Sequence, residues 1–236
     1  EGVPQCLVID VVKIDIFLRK DENRDVLRRH FKLWIAGTGV MQEVFNRSVF
    51  IDCELFLYDI EQRESLFVQT SLFDRSVEML VNGRALLVVG NPGTGKTTMT
   101  QMLALQMAAD GYRVLFSSCN DLKGIVEASS PDDDAKELFV LDDFLGQSCL
   151  DVGASQMREV MRLLAVVARS KHRRIILNSR ISILNEARRK DESFHRAIKK
   201  MDDKVVVVDT DEMSLLDRGR ILLSNLRFEG ISRQYI

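Results

Sequence analysis

Residues 90–97 read Gly-Asn-Pro-Gly-Thr-Gly-Lys-Thr, a complete GxxxxGK[ST] octet. The chemistry it offers is phosphate binding. Gly90, Gly93 and Gly95 let backbone N–H groups converge on one anion, and a helix starting there adds the positive end of its dipole. Lys96 is spaced to reach the β- and γ-phosphates of a nucleotide, and the Thr97 hydroxyl to ligate Mg²⁺. Asn91, Pro92, Thr94 and Thr98 complete the loop and first helical turn and count with it as nucleotide-binding positions. A second group of polar residues follows the apolar run Leu138–Leu141, which leads straight into Asp142-Asp143. A carboxylate at Asp142 suits holding Mg²⁺ through water, opposite Thr97. One at Asp143 suits orienting or deprotonating an attacking water. An acidic pair can also merely close a strand, but beside a complete phosphate loop the catalytic reading prevails. The third group is Asn178-Ser179-Arg180, after Ile175-Ile176-Leu177. There Asn178 can contact a γ-phosphate or the attacking water. The planar Arg180 guanidinium can complete a phosphate clamp, the competing reading being an arginine that simply ends a strand.

These residues need a scaffold that brings them to one place. Ala85–Val89 is an uninterrupted apolar run, as in a strand buried on both faces. Thr97–Asp110 reads as a helix closed by Gly111. Further strands are expected at Val114–Phe116, Leu138–Leu141, Ile175–Leu177 and Val205–Val208, and helices near Asp121–Ala128, Ser155–Ser170 and Ser182–Met201. In the Ser155–Ser170 stretch Met157, Val160, Met161, Leu164 and Val167 recur at helical spacing and form one apolar stripe. Alternating strands and helices predict an α/β fold: a doubly wound, five-stranded parallel sheet with helices on both faces and the phosphate-loop strand at its centre. Ligands of such sheets sit beyond the carboxyl ends of the strands, where all three polar groups fall.

Composition agrees with a real core. The chain has 236 residues, of which 46% are hydrophobic and 29% charged, with a net charge of −2. That balance gives no global pull toward nucleic acid or an anionic membrane. Cys6, Cys53, Cys119 and Cys149 form no paired motif, which fits free thiols in a reducing compartment. No apolar run approaches the roughly 20 residues needed to span a bilayer and no signal peptide is visible, so a cytoplasmic location is expected. A chain starting at Glu1 is what a fragment of a longer protein would show. Asp132-Asp133-Asp134 reads as a solvated turn, Lys171-His172-Arg173-Arg174 as a solvated helix end, and Arg188–Lys190 with Lys199-Lys200 as part of a mixed-charge exposed helix. His30, His172 and His195 share no metal-ligand spacing.

Together, Gly90–Thr97, the run Phe139-Val140-Leu141-Asp142-Asp143-Phe144-Leu145-Gly146-Gln147 and Ile175–Arg180 resemble the STAND class of P-loop NTPases, and within it the group named novel STAND NTPase 3. Phe67-Val68-Gln69-Thr70 with Phe73, and Leu216-Asp217-Arg218-Gly219-Arg220-Ile221-Leu222, are similar to that group as well. The resemblance covers roughly residues 66–231. It implies an ATP- and Mg²⁺-dependent signalling switch that self-associates into a homo-oligomer on binding ATP. Such switches are often fused to an effector and a sensor in defence or innate-immune-like systems. Residues 28–34 resemble the junction with an upstream restriction-endonuclease-like domain. The implied organisation is a domain tail at 1–34, a connector at 35–65, the NTPase core at 66–210 and the start of a helical domain at 211–236. No PD…ExK constellation is present, so contact with nucleic acid is expected only through an upstream nuclease domain. The trigger ligand would belong to a sensor domain outside the chain. Two other readings are an AAA-type ATPase that remodels a nucleic-acid complex and a nucleotide-binding scaffold that does not hydrolyse. A nucleotide kinase is disfavoured because no second Arg-rich lid segment is evident.

Overall fold

The computed structural model describes residues 16–17, 20–23, 26, 49–51, 66–118, 122–132, 134–146, 154–190, 196 and 205–230. The four cysteines, His30, His195, Gln147 and most of the expected tail and connector lie outside them. All five expected strands form: β2 (Ala85–Gly90), β3 (Arg113–Ser118), β4 (Glu137–Asp142), β5 (Arg173–Arg180) and β6 (Val205–Asp209). A sixth, β1 (Val49–Ile51), lies in the stretch expected to be a connector and pairs with β3 at the sheet edge. Every pairing is parallel, and the strand order is β1-β3-β4-β5-β2-β6. The phosphate-loop strand β2 therefore stands one place from the edge rather than at the centre. An apolar run requires a neighbour on each side, and β5 and β6 supply them; it does not say how many strands lie beyond.

The period-2 alternation of the strands builds two cores. Leu86 and Val88 of β2 pack with Leu138, Val140 and Ile176 against helices α1 (Ser71–Asn82) and α2 (Lys96–Ala109). Ala85, Leu87 and Val89 face the other way with Phe139, Leu141, Ile175 and Leu177. That face is covered by α3 (Leu122–Ala128), α4 (Ala154–Arg169) and α5 (Ile181–Lys190). Full burial of each such Leu, Ile or Val contributes about 1.5–3 kcal/mol. Helix α4 seats the expected stripe, with Leu163 added and Met161 only partly buried. Helix α1 begins at Thr70, whose side chain accepts from the Phe73 N–H at 3.2 Å, and ends at Gly83. A last helix, α6 (Leu215–Phe228), starts at Ser214, whose hydroxyl accepts from the Asp217 N–H at 3.1 Å.

One expectation about charge is corrected. Arg173 is not part of a solvated helix end: it opens β5 and is buried. Its register neighbour is Glu137, equally buried, and the two pair at 3.2 Å while Arg113 reaches the same carboxylate at 3.1 Å. A buried guanidinium is tolerable only when its donors are satisfied, and Nη2 of Arg173 donates to both the Ser130 and Asp132 carbonyls. Asp132 and Asp134 do form a turn, with the Asp134 N–H on the Asp132 carboxylate at 3.0 Å.

Candidate functional site

Parallel pairing carries the three polar groups to one edge. The last residue of β2, Gly90, is in register with Arg180, and Ser118 of β3 with Asp142. β5 is longer than the sequence indicates, so Asn178, Ser179 and Arg180 lie within the strand, and α5 follows without a loop.

The loop itself is held in shape by left-handed backbone at Gly93 and Gly95, with φ of 79° and 84°. Nothing lies within 4 Å of a Cβ built at either glycine, so both are kept by conformation and leave the backbone approachable. Asn91, Pro92, Gly93 and Gly95 are exposed, and Lys96 is buried at the first turn of α2. The Lys96 ammonium donates to the Asn91 carbonyl at 2.8 Å. Burial pushes its pKa below the ordinary lysine value, Arg180 works in the same direction, and Asp143, Asp211 and Asp142 oppose the shift.

Opposite Lys96 stand the two acids. The Thr97 hydroxyl lies 3.3 Å from the Asp142 carboxylate. A hydroxyl and a carboxylate are hard oxygen donors, and Mg²⁺ takes such ligands together with water and substrate phosphates, so Thr97 and Asp142 fit the ion. Bound there, it would neutralise charge on the phosphate oxygens. Among the described residues no cluster of three His, Cys, Asp or Glu could hold a metal by itself. Burial raises the Asp142 pKa, and so does the Asp143 charge; hydrogen bonds from Asn178 and Thr97, and the Lys96 charge, pull the other way.

Asp143 has φ of 46°, left-handed for a residue with a Cβ, and among the described non-glycine residues it alone has positive φ. The cause is Asn178. That side chain, fully buried, accepts from the Asp143 N–H at 2.7 Å, donates to Asp142, and donates to Thr100 Oγ1 at 3.3 Å. The Asn178 carbonyl accepts from the Phe144 N–H at 3.2 Å. Asn178 thus orients both acids instead of facing the loop. Strain of this kind is kept where surrounding contacts over-determine it. Burial raises the Asp143 pKa, against the attraction of Arg180 and Lys96.

Thr100, Thr210 and Asp211 complete the site without a motif of their own. Thr210 Oγ1 donates to the Val89 carbonyl at 3.1 Å and meets Thr94 Oγ1 at 2.6 Å. Asp211 accepts from the Asn91 side chain at 2.7 Å and its N–H at 3.2 Å. The turn after β6 therefore braces the phosphate loop from outside. The one signal in the sequence is position: polar residues at the carboxyl end of a strand. Gly90 is fixed by this brace, since a Cβ there would lie 2.1 Å from Thr210 Oγ1 at a φ of 153°. Gly90→Ala is expected to destabilise the fold by about 2–4 kcal/mol in denaturant titration, combining backbone strain and overpacking. Adding Thr210→Ser should recover little, because the hydroxyl remains, whereas Thr210→Ala should recover part of the loss. A Gly90→Ala variant as stable as the parent would show that the brace is loose.

Beside the loop opens a cleft of about 660 Å³, into which Thr98 and Met99 of α2, Phe67, and Ile221 and Leu222 of α6 project. Phe67 is steadied there by an edge-on contact with Phe73, the ring centroids 5.0 Å apart. A mostly apolar slot next to a phosphate loop suits a planar base.

The family model for novel STAND NTPase 3 matches residues 67–228. Among solved structures, the replication initiator DnaA bound to AMPPCP and single-stranded DNA is similar with a TM-score of 0.51 and 21% identity, over 69% of this chain and 51% of that one. AMPPCP-bound DnaA from Aquifex aeolicus gives 0.47 at 21% identity, over 66% and 49%. The RuvB Holliday junction branch migration motor of Thermotoga maritima gives 0.45 at 11%, over 70% and 53%. The chain thus spans about half the length of these proteins, and at 21% identity the likeness to the first of them is one of fold. No curated protein matches the chain in sequence. No helix among the described residues is long and apolar enough to cross a membrane. With the phosphate loop, the acidic strand end and the family match all within residues 67–228, the chain belongs to the novel STAND NTPase 3 family of P-loop NTPases.

Proposed function

We propose that this chain binds Mg·ATP and hydrolyses it slowly, and that the phosphate state sets a signalling switch. The observation that carries the reading is Asp143, in left-handed backbone with its N–H on Asn178 and under the attraction of the Arg180 and Lys96 charges. Lys96 and the loop N–H groups bind the phosphates; Asp143 takes a proton from the attacking water; Arg180 meets the charge that develops on the terminal phosphoryl oxygens. Thr97 and Asp142 would hold Mg²⁺, and Asn178 fixes both acids. ATP favours an assembled homo-oligomer and ADP a closed form, each in proportion to its differential affinity for the two states. In this reading residues 66–210, with β1 (Val49–Ile51) added at the sheet edge, are the NTPase core and residues 211–236 open a helical domain. An effector joined through residues 1–65 is controlled in a defence or innate-immune-like system, in the cytoplasm, with the trigger sensed elsewhere in the protein. Family membership supports this part.

Arg180 provides the test. A lysine keeps the charge but not the planar fork that grips two oxygens. Arg180→Lys is expected to keep its fold, to bring the ATP and ADP affinities within about threefold of each other, and to lose ATP-driven assembly. Calorimetry with both nucleotides and sizing of the full-length protein measure this. A variant that keeps the parent's ATP/ADP ratio and still assembles would leave Arg180 a strand-end residue. Turnover stimulated by nucleic acid would point to a remodelling ATPase instead, and tight ADP retention without turnover to a scaffold.

A further inference from the structure

Helix α6 is attached in an unusual way. Its sequence, LLDRGRILLSNLRF, is rich in leucine, yet Asp217 is its buried residue at 3% exposure. Leu215, Leu216, Leu222 and Phe228 are 59–86% exposed. A surface helix ordinarily seats on an apolar stripe with its charges outward. Here a carboxylate is inside, and polar bonds hold the helix down. Asp217 Oδ2 accepts from Ser71 Oγ at 2.9 Å and from Ser214 Oγ at 3.0 Å, and the Ser71 backbone also donates to this carboxylate. Arg220 lies 3.5 Å from Oδ1. Ser71 is the first residue of α1 and Ser214 caps α6, so one anion serves the positive ends of two helices. Burial disfavours its charge, but the Ser71 and Ser214 hydrogen bonds and the Arg220 cation hold the carboxyl below the usual range.

Residues at the start of α1 and along α6 both line the cleft. Thr70 and Phe73 line it beside Ser71, and Arg218, Ile221 and Leu222 line it beside Asp217, while neither Ser71 nor Asp217 lines it. A second tie, Ser224 Oγ to the Leu66 carbonyl at 3.3 Å, lies further along α6. We propose that Asp217 is a positioning residue that sets the width of the base cleft, by bonding α6 to Ser71 at the start of α1, and so determines how strongly the protein favours a nucleoside triphosphate over a bare polyphosphate. The inference rests on the nucleotide reading above. Lys96 and the glycine loop, which take the phosphates, belong to other elements and meet α6 at one remove, through the Arg218 bond to the Asp211 carbonyl, so loosening the Asp217 bond acts first on the base and less on the phosphate chain. An apolar base between Met99 and Ile221 would in turn supply the burial that α6 lacks, tightening the helix on the core.

The experiment compares Mg·ATP with Mg·tripolyphosphate by calorimetry, in the parent, Asp217→Asn and Ser71→Ala. Ser71→Ala leaves the Ser214 cap intact and removes only the hydroxyl between the helices, so it carries the test if Asp217→Asn folds poorly. Loss of one net hydrogen bond between the two helices predicts an ATP Kd raised about 5- to 10-fold in both variants, with tripolyphosphate affinity little changed. For turnover, KM for ATP should rise while kcat holds. A parent that binds neither probe overturns the nucleotide reading and this inference with it. A parent that prefers ATP, with variants that keep its ATP/tripolyphosphate ratio or lose both probes equally, overturns the role of Asp217 alone.

Discussion

Asp143→Asn is expected to slow ATP turnover by about 10²–10⁴-fold, the range lost with a positioned general base, while ATP affinity stays near that of the parent. The amide keeps the size of the side chain and the backbone bond to Asn178, and asparagine adopts left-handed φ as readily as aspartate does. What it loses is the ability to take a proton. Asp142→Asn makes the contrast: Asp142 touches Thr97 and Asn178, so its loss should weaken Mg²⁺-dependent binding itself. The direction of the Asp143 pKa adds a signature. Burial raises it above 3.8, so the acidic limb of the rate profile should lie above that of an ordinary aspartate. A group bound more tightly to its proton in the folded state gives stability at low pH that is lost as pH rises through the folded pKa. At neutral pH the ionised side chain is therefore a strain on the nucleotide-free fold. Asp143→Asn should melt at or above the parent temperature there, and the gap should close on acidification. A variant that hydrolyses ATP at the parental rate under activating conditions would remove Asp143 from the chemistry, and one that melts well below the parent would contradict the sign of its burial.

Much of this site is legible in the amino-acid sequence because it rests on covalent spacing. The phosphate loop is eight consecutive residues, and the strands on which Asp142 and Arg180 sit announce themselves as apolar runs. Parallel pairing then leaves little freedom in where their carboxyl ends fall. What the sequence does not show depends on register and on distant partners. Asn178 reads as a residue facing phosphate; only the pairing of β5 between β4 and β2 turns it inward, onto Asp142 and the Asp143 N–H. Arg173 reads as a surface cation until Glu137 arrives beside it. Thr210 and Asp211 brace a loop more than a hundred residues earlier in the chain. Asp217 of α6 meets Ser71 across 146 positions of the chain. Each of these is a long-range polar contact, and local pattern carries no signal for such contacts.

Lys96→Ala should weaken ATP binding at least ~10-fold and abolish measurable turnover, since a charge-assisted contact in a shielded site contributes about 1.5–3 kcal/mol. The structure sharpens the expectation. Lys96 is buried, its charge is already disfavoured by burial and by Arg180, and it is tied to the Asn91 carbonyl at 2.8 Å. Removing it relieves a cation of its desolvation, so the folded protein should not lose stability on that account. It also leaves Asp142 and Asp143 with less positive charge nearby, which pushes both carboxyls further toward the protonated form. The base is weakened along with the phosphate grip, so turnover should fall by more than the affinity loss alone implies. Lys96→Arg separates the two effects, because it restores a cation near the acids but places a wider head in a loop shaped for an ammonium. Turnover measured at saturating ATP should then recover in part for Lys96→Arg at a raised KM, and not at all for Lys96→Ala. Unchanged ATP affinity in a calorimetric titration of Lys96→Ala would mean that the octet at residues 90–97 does not bind the phosphates.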